Sequence, residues 1–135
     1  MTDAPAKYRL LHTMIRVRDL DKSLDFYQRF LGMKMLRQKK YPDGKFTNTF
    51  VGYGDEKADT VIELTYNWDP EDYPGGRNFG HLAYQVEDIY DLCQRLMDQG
   101  VTINRPPRDG RMAFIRSPDG ISIEILTGQQ HAIIP

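Results

Sequence analysis

Alternating apolar and polar positions open the chain and predict a strand over residues 10–17. One face of this strand carries Leu11, Thr13, Ile15 and Val17, and the other carries Leu10, His12, Met14 and Arg16. A period of two is typical of a half-buried strand. Helical spacing follows, with apolar residues at Leu20, Leu24, Tyr27 and Leu31. Asp19 is suited to cap the start of this amphipathic helix and Gly32 to end it.

The rest of the first half reads as three more strands. We expect them over Met33–Gln38, Phe46–Tyr53 and Thr60–Asn67, with a Y-P-D-G-K turn over Tyr41–Lys45. Proline, aspartate and glycine favour a tight turn because they fit its backbone angles. The first half is therefore predicted to have the order βαβββ.

The second half repeats this order after a segment, 68–80, whose prolines, glycines and acidic residues indicate a linker or lid. Its predicted elements are a strand over His81–Val86, a helix over Asp88–Gln99 ended by Gly100, and strands over Val101–Asn104, Met112–Arg116 and Ile121–Leu126. A Pro106–Pro107 break and a Ser117–Gly120 turn separate these last strands. We therefore divide one domain, 1–135, into a first module at about 8–67, the linker 68–80, a second module at about 81–126 and a tail, 127–135, either docked or frayed.

The two halves share residues as well as element order. His12 is followed by T-M-I-R-V-R-D-L and His81 by L-A-Y-Q-V-E-D-I, so that Val17 and Asp19 recur as Val86 and Asp88. The run V-I-E-L-T around Glu63 is echoed by S-I-E-I-L around Glu124. Each half thus contributes one histidine and one glutamate at matching places.

This repeated pair indicates a metal site. Alternation places Glu63 and Glu124 on the face opposite the apolar residues of their strands. A buried carboxylate without a compensating cation would be costly. We expect His12, Glu63, His81 and Glu124 to converge in a cavity between two curved sheets. Imidazole and carboxylate ligands without sulfur favour nickel, cobalt, manganese or iron over tetrahedral structural zinc.

Bulk properties exclude several other classes of protein. A chain of 135 residues is typical of a single domain. A net charge of −1 and a pI near 6.3 do not indicate binding to nucleic acid or to an anionic membrane, which needs clustered positive charge. Cys93 is the sole cysteine, which excludes an intrachain disulfide and a thiolate metal cage and favours a reducing, cytoplasmic location. No apolar run indicates a signal peptide or a membrane anchor.

Five runs resemble the glyoxalase I (lactoylglutathione lyase) family of the vicinal oxygen chelate superfamily. They are L-L-H-T-M-I-R-V at 10–17, D-F-Y-Q-R-F-L-G-M at 25–33, V-I-E-L-T-Y-N-W at 61–68, F-G-H-L-A at 79–83 and S-P-D-G-I-S-I-E-I at 117–125. The resemblance implies an α+β fold of two βαβββ modules whose curved mixed sheets form a metal-containing cavity, paired across a homodimer. It also implies His12, Glu63, His81 and Glu124 as metal ligands.

Further site residues follow from the same resemblance. Arg16, Asn67 and Arg77 match positions that hold glutathione, and Arg105, Arg108 and Arg111 are all candidates for one further basic contact. For these arginines a solvated loop position is the competing interpretation. Met14, Met35, Met112 and Phe114 are candidates for lining the pocket, although we expect most of them to pack in the core. His131 is expected to be a tail residue, not a ligand.

The implied reaction converts the hemithioacetal of methylglyoxal and glutathione into S-D-lactoylglutathione through a metal-bound cis-enediolate. Glu124 is the expected principal base, with Glu63 serving the opposite face. Because the chain lacks the longer insertions typical of the zinc-dependent class, the resemblance implies the short class activated by Ni²⁺ or Co²⁺, with Mn²⁺ weaker and Zn²⁺ disfavoured. His12 and Glu63 would meet His81 and Glu124 of a second subunit, although the βαβββ halves alone would equally permit a site within one chain.

Other members of the superfamily offer rival interpretations. Extradiol dioxygenases and thiol-transferring resistance enzymes need only two histidines and one carboxylate, so Glu63 disfavours both. A methylmalonyl-CoA epimerase is the nearest competitor, because it too moves a proton at a metal-bound enolate. A metal-free drug-binding module has no use for four ligands.

Overall fold

The computed structural model describes residues 8–105, 107 and 110–127. The first module contains β1 (His12–Arg16), α1 (Leu20–Asp25) with a π-helical turn over Phe26–Phe30, β2 (Lys34–Tyr41), β3 (Phe46–Gly52) and β4 (Val61–Asn67). The second contains β5 (Leu82–Val86), α2 (Ile89–Asp98), β6 (Ile103–Arg105), β7 (Met112–Arg116) and β8 (Ser122–Thr127). Each forms one four-stranded sheet, in the orders β1-β4-β3-β2 and β5-β8-β7-β6. The predicted α+β fold of duplicated βαβββ order is confirmed.

Most element boundaries lie close to the predicted ones, and the exceptions have physical causes. β2 continues to Tyr41, because Lys39, Lys40 and Tyr41 all find partners on β3. The first helix widens after Asp25, where the Leu31 N–H donates to the Phe26 carbonyl at 3.3 Å. The wider turn buries the side chains of Phe26, Tyr27 and Phe30. Pro106 and the tail from 128 onward lie outside the described residues.

The cap predicted at Asp19 and the helix ends predicted at Gly32 and Gly100 are confirmed, and Asp88 caps the second helix in the same way. Asp19 accepts from the Lys22 N–H and Asp88 from the Asp91 N–H, each at 3.0 Å. At the other ends Gly32 and Gly100 have φ of +70° and +78°, which a residue with a Cβ adopts only with strain. None of the described helices is long and apolar enough to cross a membrane.

A common hydrophobic core joins the two modules. It takes alternate residues from the strands of both, among them Ile15, Leu64, Ile123 and Ile125, together with the buried side of α2. The predicted apolar faces of β1, β4 and β8 are therefore the core faces. His12 and Arg16, on the other face of β1, are exposed.

Arg18 connects the first module to the linker and to the second module. Its backbone N–H and Nη1 donate to Asp119 Oδ1 at 3.0 and 3.2 Å, and its Nη2 donates to Asp72 and to the Tyr73 carbonyl. The Asp119 side chain is only 6% exposed, and Ser23 also donates to it. Asp119 thus accepts hydrogen bonds from two segments of the other module.

We expect Asp119→Ala to lower the free energy of unfolding by about 1–3 kcal/mol, because Arg18 and the buried Ser23 hydroxyl would both lose their buried acceptor. Asp43→Ala is the matched control: Asp43 occupies the same Pro-Asp-Gly sequence in the first module but is exposed. Urea denaturation of both variants measures the difference. Equal stability of the two would contradict a role for Asp119 in joining the modules.

Candidate functional site

Each sheet brings one histidine and one glutamate together on the face opposite the core. Nε2 of His12 lies 3.2 Å from Oε1 of Glu63, and Nε2 of His81 lies 3.2 Å from Oε1 of Glu124. We call these the first and second half-sites. Their shared geometry comes from shared register, because each glutamate pairs with the residue two positions after the histidine: Met14 with Glu63 and Ala83 with Glu124.

A phenylalanine completes each half-site. Phe50 pairs across the strands with Glu63, and Phe114 pairs with Glu124. Their rings meet the imidazoles edge to face, with centroids 5.5 Å apart for His12 and Phe50 and 5.3 Å for His81 and Phe114. Sequence reasoning missed Phe50, because the hairpins that join β3 to β4 and β7 to β8 differ in length. The distance from phenylalanine to glutamate along the chain is consequently different in the two modules.

Exposure differs between the two members of each pair. The imidazoles of His12 and His81 are 39% and 42% exposed, whereas the side chains of Glu63 and Glu124 are 14% and 18% exposed. Each half-site therefore offers one nitrogen and one oxygen donor at a recessed but open position. A separation of 3.2 Å fits neighbouring ligands of one octahedral ion, whose metal–donor bonds of about 2.1 Å put them roughly 3 Å apart.

The two half-sites do not meet within the chain. Among the described residues, no three histidine, cysteine, aspartate or glutamate side chains form a group that could hold a metal ion. The physical reason is that both sheets turn their apolar faces to the common core. Their histidine–glutamate faces therefore point away from that core. The convergence of all four residues that the sequence led us to expect is therefore absent from the described part of the single chain.

Exposed apolar side chains accompany the half-sites. Met14, which pairs with Glu63, is 40% exposed, and Leu11 and Phe79, which flank the two histidines in sequence, are 56% and 52% exposed. Met35 is also exposed. The expectation of core packing is therefore wrong for Met14 and Met35. Met112 and Phe114 are half-buried, and Phe114 contacts His81.

The predicted glutathione contacts have different settings. Arg16 is exposed on the face of β1 that carries His12. Asn67 ends β4, and its Nδ2 donates to Glu71 at 3.4 Å and to the Tyr73 hydroxyl at 3.3 Å. Arg77 is exposed in the segment before β5.

The three further arginines lie at or near the β6–β7 connection. Arg105 ends β6, Arg111 is exposed just before β7, and Arg108 lies outside the described residues. Their part in binding stays a prediction.

Arg37 is a neighbour of the first half-site that the sequence pattern did not reveal. Its guanidinium lies 3.8 Å from the Phe50 ring centroid, and its Nε and Nη2 donate to Glu56 at 2.6 and 3.2 Å. These hydrogen bonds are the main reason that the pKa of Arg37 is raised and the pKa of Glu56 is lowered. Glu63 adds a smaller contribution to the raised pKa of Arg37.

Comparison with known proteins gives separate evidence on the family of this chain. The profile of the glyoxalase/bleomycin resistance protein/dioxygenase superfamily matches residues 9–125. A lactoylglutathione lyase of Neisseria meningitidis serogroup A is 54% identical over 123 residues, covering 87% of this chain and 89% of that protein.

Two solved structures show the same relationship. The trypanothione-dependent glyoxalase I of Leishmania major superposes with a TM-score of 0.88 at 44% identity, covering 92% of this chain and 89% of that one. Glyoxalase I of Zea mays superposes with a TM-score of 0.80 at 39% identity, covering 87% of this chain and 44% of that one. With its duplicated half-sites and these relatives, the chain belongs to the lactoylglutathione lyase (glyoxalase I) family of the glyoxalase/bleomycin resistance protein/dioxygenase superfamily.

Proposed function

We propose that this chain converts the hemithioacetal of methylglyoxal and glutathione into S-D-lactoylglutathione. The observation that carries the proposal is the pair of half-sites, each with a histidine nitrogen and a glutamate oxygen 3.2 Å apart, in a member of the lactoylglutathione lyase family. The reaction moves a proton between adjacent carbons and detoxifies methylglyoxal. A cytoplasmic location suits both this cosubstrate and the unpaired Cys93.

The donors of the two half-sites fit a divalent metal. His12, Glu63, His81 and Glu124 would hold it, and two nitrogen and two carboxylate oxygen donors suit Ni²⁺ or Co²⁺ better than tetrahedral zinc. Mn²⁺ is a weaker candidate. When bound, such an ion lowers the energy of the negative charge that develops on the substrate oxygens as the proton leaves.

Glu124 and Glu63 carry the proton as it moves from one substrate carbon to the next. Glu124 is the principal base: its carboxylate takes the proton from the hemithioacetal carbon and returns it to the neighbouring carbon. Glu63, at the corresponding place in the first module, serves the opposite face, so that both configurations of the hemithioacetal can react. Their low exposure and the phenylalanine beside each limit exchange of the carried proton with water.

Arginine and asparagine side chains bind the glutathione moiety. Arg16 and Arg77 are exposed, and the guanidinium fork pairs with carboxylates at fixed geometry. The Asn67 amide has long bonds to Glu71 and Tyr73, of 3.4 and 3.3 Å, which a substrate carboxylate can replace at little cost.

A homodimer completes the site. Two donors are too few for a catalytic ion, and the half-sites of one chain face away from their common core. In the dimer, His12 and Glu63 of one subunit meet His81 and Glu124 of the other, which gives two equivalent sites by two-fold symmetry. Exposed apolar residues close in sequence to the histidines, such as Leu11, Met14 and Phe79, support a second copy at the half-sites.

The activity itself is the first test. Chelator-stripped protein supplied with Ni²⁺ should produce thioester ultraviolet absorbance from methylglyoxal plus glutathione, and removal of the ion should abolish it because the developing charge loses its stabilisation. Co²⁺ should restore activity in place of Ni²⁺, and Mn²⁺ should restore less of it. No absorbance change with nickel, cobalt, manganese or zinc would refute the proposed reaction.

Glu124→Gln should reduce kcat by roughly 100-fold or more, because an amide cannot accept the proton. The amide oxygen can still act as a ligand, so metal analysis should find the ion retained. Glu63→Gln is the companion variant, for which we expect a smaller loss. An unchanged rate for Glu124→Gln would assign the principal base to another residue.

Mixing two inactive variants tests whether sites are shared. One carries His12→Ala with Glu63→Gln, and the other carries His81→Ala with Glu124→Gln. In a mixed dimer one site has all four changes and the other is intact, so refolding the variants together should restore about a quarter of wild-type activity by random pairing. No recovery in a preparation that mass spectrometry shows to contain mixed dimers would place each site within one chain.

A further inference from the structure

A one-residue bulge in β2 places Arg37 beside the first half-site. Met35 pairs with Val51, but Arg37, two positions later, pairs with Phe50, so Leu36 is the extra residue. In regular pairing Leu36 would lie opposite Phe50, and Arg37 would turn to the core face. Phe50 in turn pairs with Glu63. Arg37, Phe50 and Glu63 therefore form one row across three strands.

The second module has the same bulge. Ile103 pairs with Ile115 and Arg105 with Phe114, which pairs with Glu124. The backbone thus sets arginine, phenylalanine and glutamate in the same order across both sheets. A bulge at the same place in both modules indicates a functional role, since β-bulges next to active sites change the direction of side chains.

A continuous series of contacts links Glu56 to His12. Arg37 lies between the Glu56 carboxylate, which accepts its Nε and Nη2, and the ring of Phe50, 3.8 Å from its guanidinium. Phe50 is 5% exposed and meets the His12 imidazole edge to face at 84°. Arg37 consequently packs against the Phe50 ring, which in turn packs against the His12 imidazole.

The loop that carries Glu56 is fixed independently of Arg37. Nη2 of Arg9 donates to the Glu56 carbonyl at 2.7 Å, and Nη1 of Arg9 donates to the Asp59 carbonyl at 3.4 Å. The Asp55 carboxylate accepts from the Lys57 N–H at 2.8 Å, which closes the turn. Glu56 is thus a fixed acceptor, and Arg37 is held between it and the Phe50 ring.

We propose that Arg37 is a positioning residue for the first half-site: together with Glu56 it holds Phe50 against the His12 imidazole and so keeps Nε2 directed at Glu63. This role rests on the function proposed above. The His12 imidazole is 39% exposed and would rotate freely without the ring beside it. A ligand that is oriented in advance binds a metal ion more tightly and holds it in the reactive arrangement.

The chain contains a closely matched control for Arg37. Arg29 also donates through Nε and Nη2 to a carboxylate, that of Asp25, at 2.8 Å for both bonds, and it lies 4.5 Å from the ring of Phe30. Its side chain is 51% exposed and that of Arg37 is 53% exposed. Arg29 lies on the first helix, whereas Arg37 is next to Phe50 of the half-site.

The first measurement is calorimetric titration of Ni²⁺ into chelator-stripped Arg37→Met and Arg29→Met proteins. We expect the Kd of Arg37→Met to rise about tenfold, as for loss of an outer contact to a ligand, and that of Arg29→Met to stay within about twofold of wild type. Arg37→Lys should recover part of the affinity, because an ammonium keeps the cation over the ring but lacks the fork. Glu56→Gln should weaken binding in the same direction as Arg37→Met.

Two further readouts separate positioning from other roles. In the metal-free protein, nuclear magnetic resonance of the His12 imidazole should show one ordered environment in wild type and an averaged one in Arg37→Met. In the loaded enzyme, Arg37→Met should lower kcat with KM nearly unchanged, since the substrate-binding side chains remain.

Three results would overturn the role of Arg37. They are wild-type Ni²⁺ affinity and kcat in Arg37→Met, an equal loss in Arg29→Met, and a change confined to KM. If wild-type protein failed to convert the hemithioacetal at all, the proposed reaction would be wrong. The titration and the imidazole spectra would still decide whether Arg37 positions His12.

Discussion

Burial of alternate residues in β4 and β8 is the constraint on which the rest of the structure depends. Leu64, Ile123 and Ile125 are fully buried; Glu63 directly precedes Leu64, and Glu124 lies between the two isoleucines. A slip of β8 by one residue would exchange its isoleucines with Glu124 and lose roughly 3–6 kcal/mol from these two side chains alone. This penalty fixes which residue of β5 lies opposite Glu124, and thereby the distance from the carboxylate to His81.

The same burial explains why each chain presents halves of a site. A sheet has only two faces, and in each module one face of the sheet packs in the common core. The histidine, glutamate and phenylalanine side chains are left on the outward faces, where a second chain can reach them. Burial of the core and separation of the two histidine–glutamate pairs therefore have one origin. In the dimer that we propose, assembly supplies the missing donors.

Duplication has kept the central row of each sheet while its surroundings have changed. In both modules the backbone register pairs an arginine with a phenylalanine, and that phenylalanine with the glutamate, next to a one-residue bulge. In the first module a longer loop between β3 and β4 supplies Glu56 to Arg37, whereas the corresponding connection in the second is the tight Ser117–Gly120 turn. That turn instead supplies Asp119 to Arg18, which joins the modules. The repeated pairing accompanies the histidine–glutamate pair of each module. The two loops differ in what they bind: one holds Arg37 beside Phe50, and the other joins the modules through Arg18.

The sequence alone determined the order of elements, the helix caps and the face on which each histidine and glutamate lies. These features follow from local spacing and from residue types, which act over a few positions along the chain. It also singled out the four candidate ligands, because the duplicated pattern is visible in the sequence itself.

The pairing of residues across strands could not be predicted from the sequence. The hairpins differ in length and the bulges shift the register, so Phe50, Arg37 and Glu56 have no constant spacing to Glu63. Tertiary structure alone decided that these residues contact one another and that the two half-sites stay separate within the described chain, because both outcomes depend on strand pairing and on how the sheets share one core.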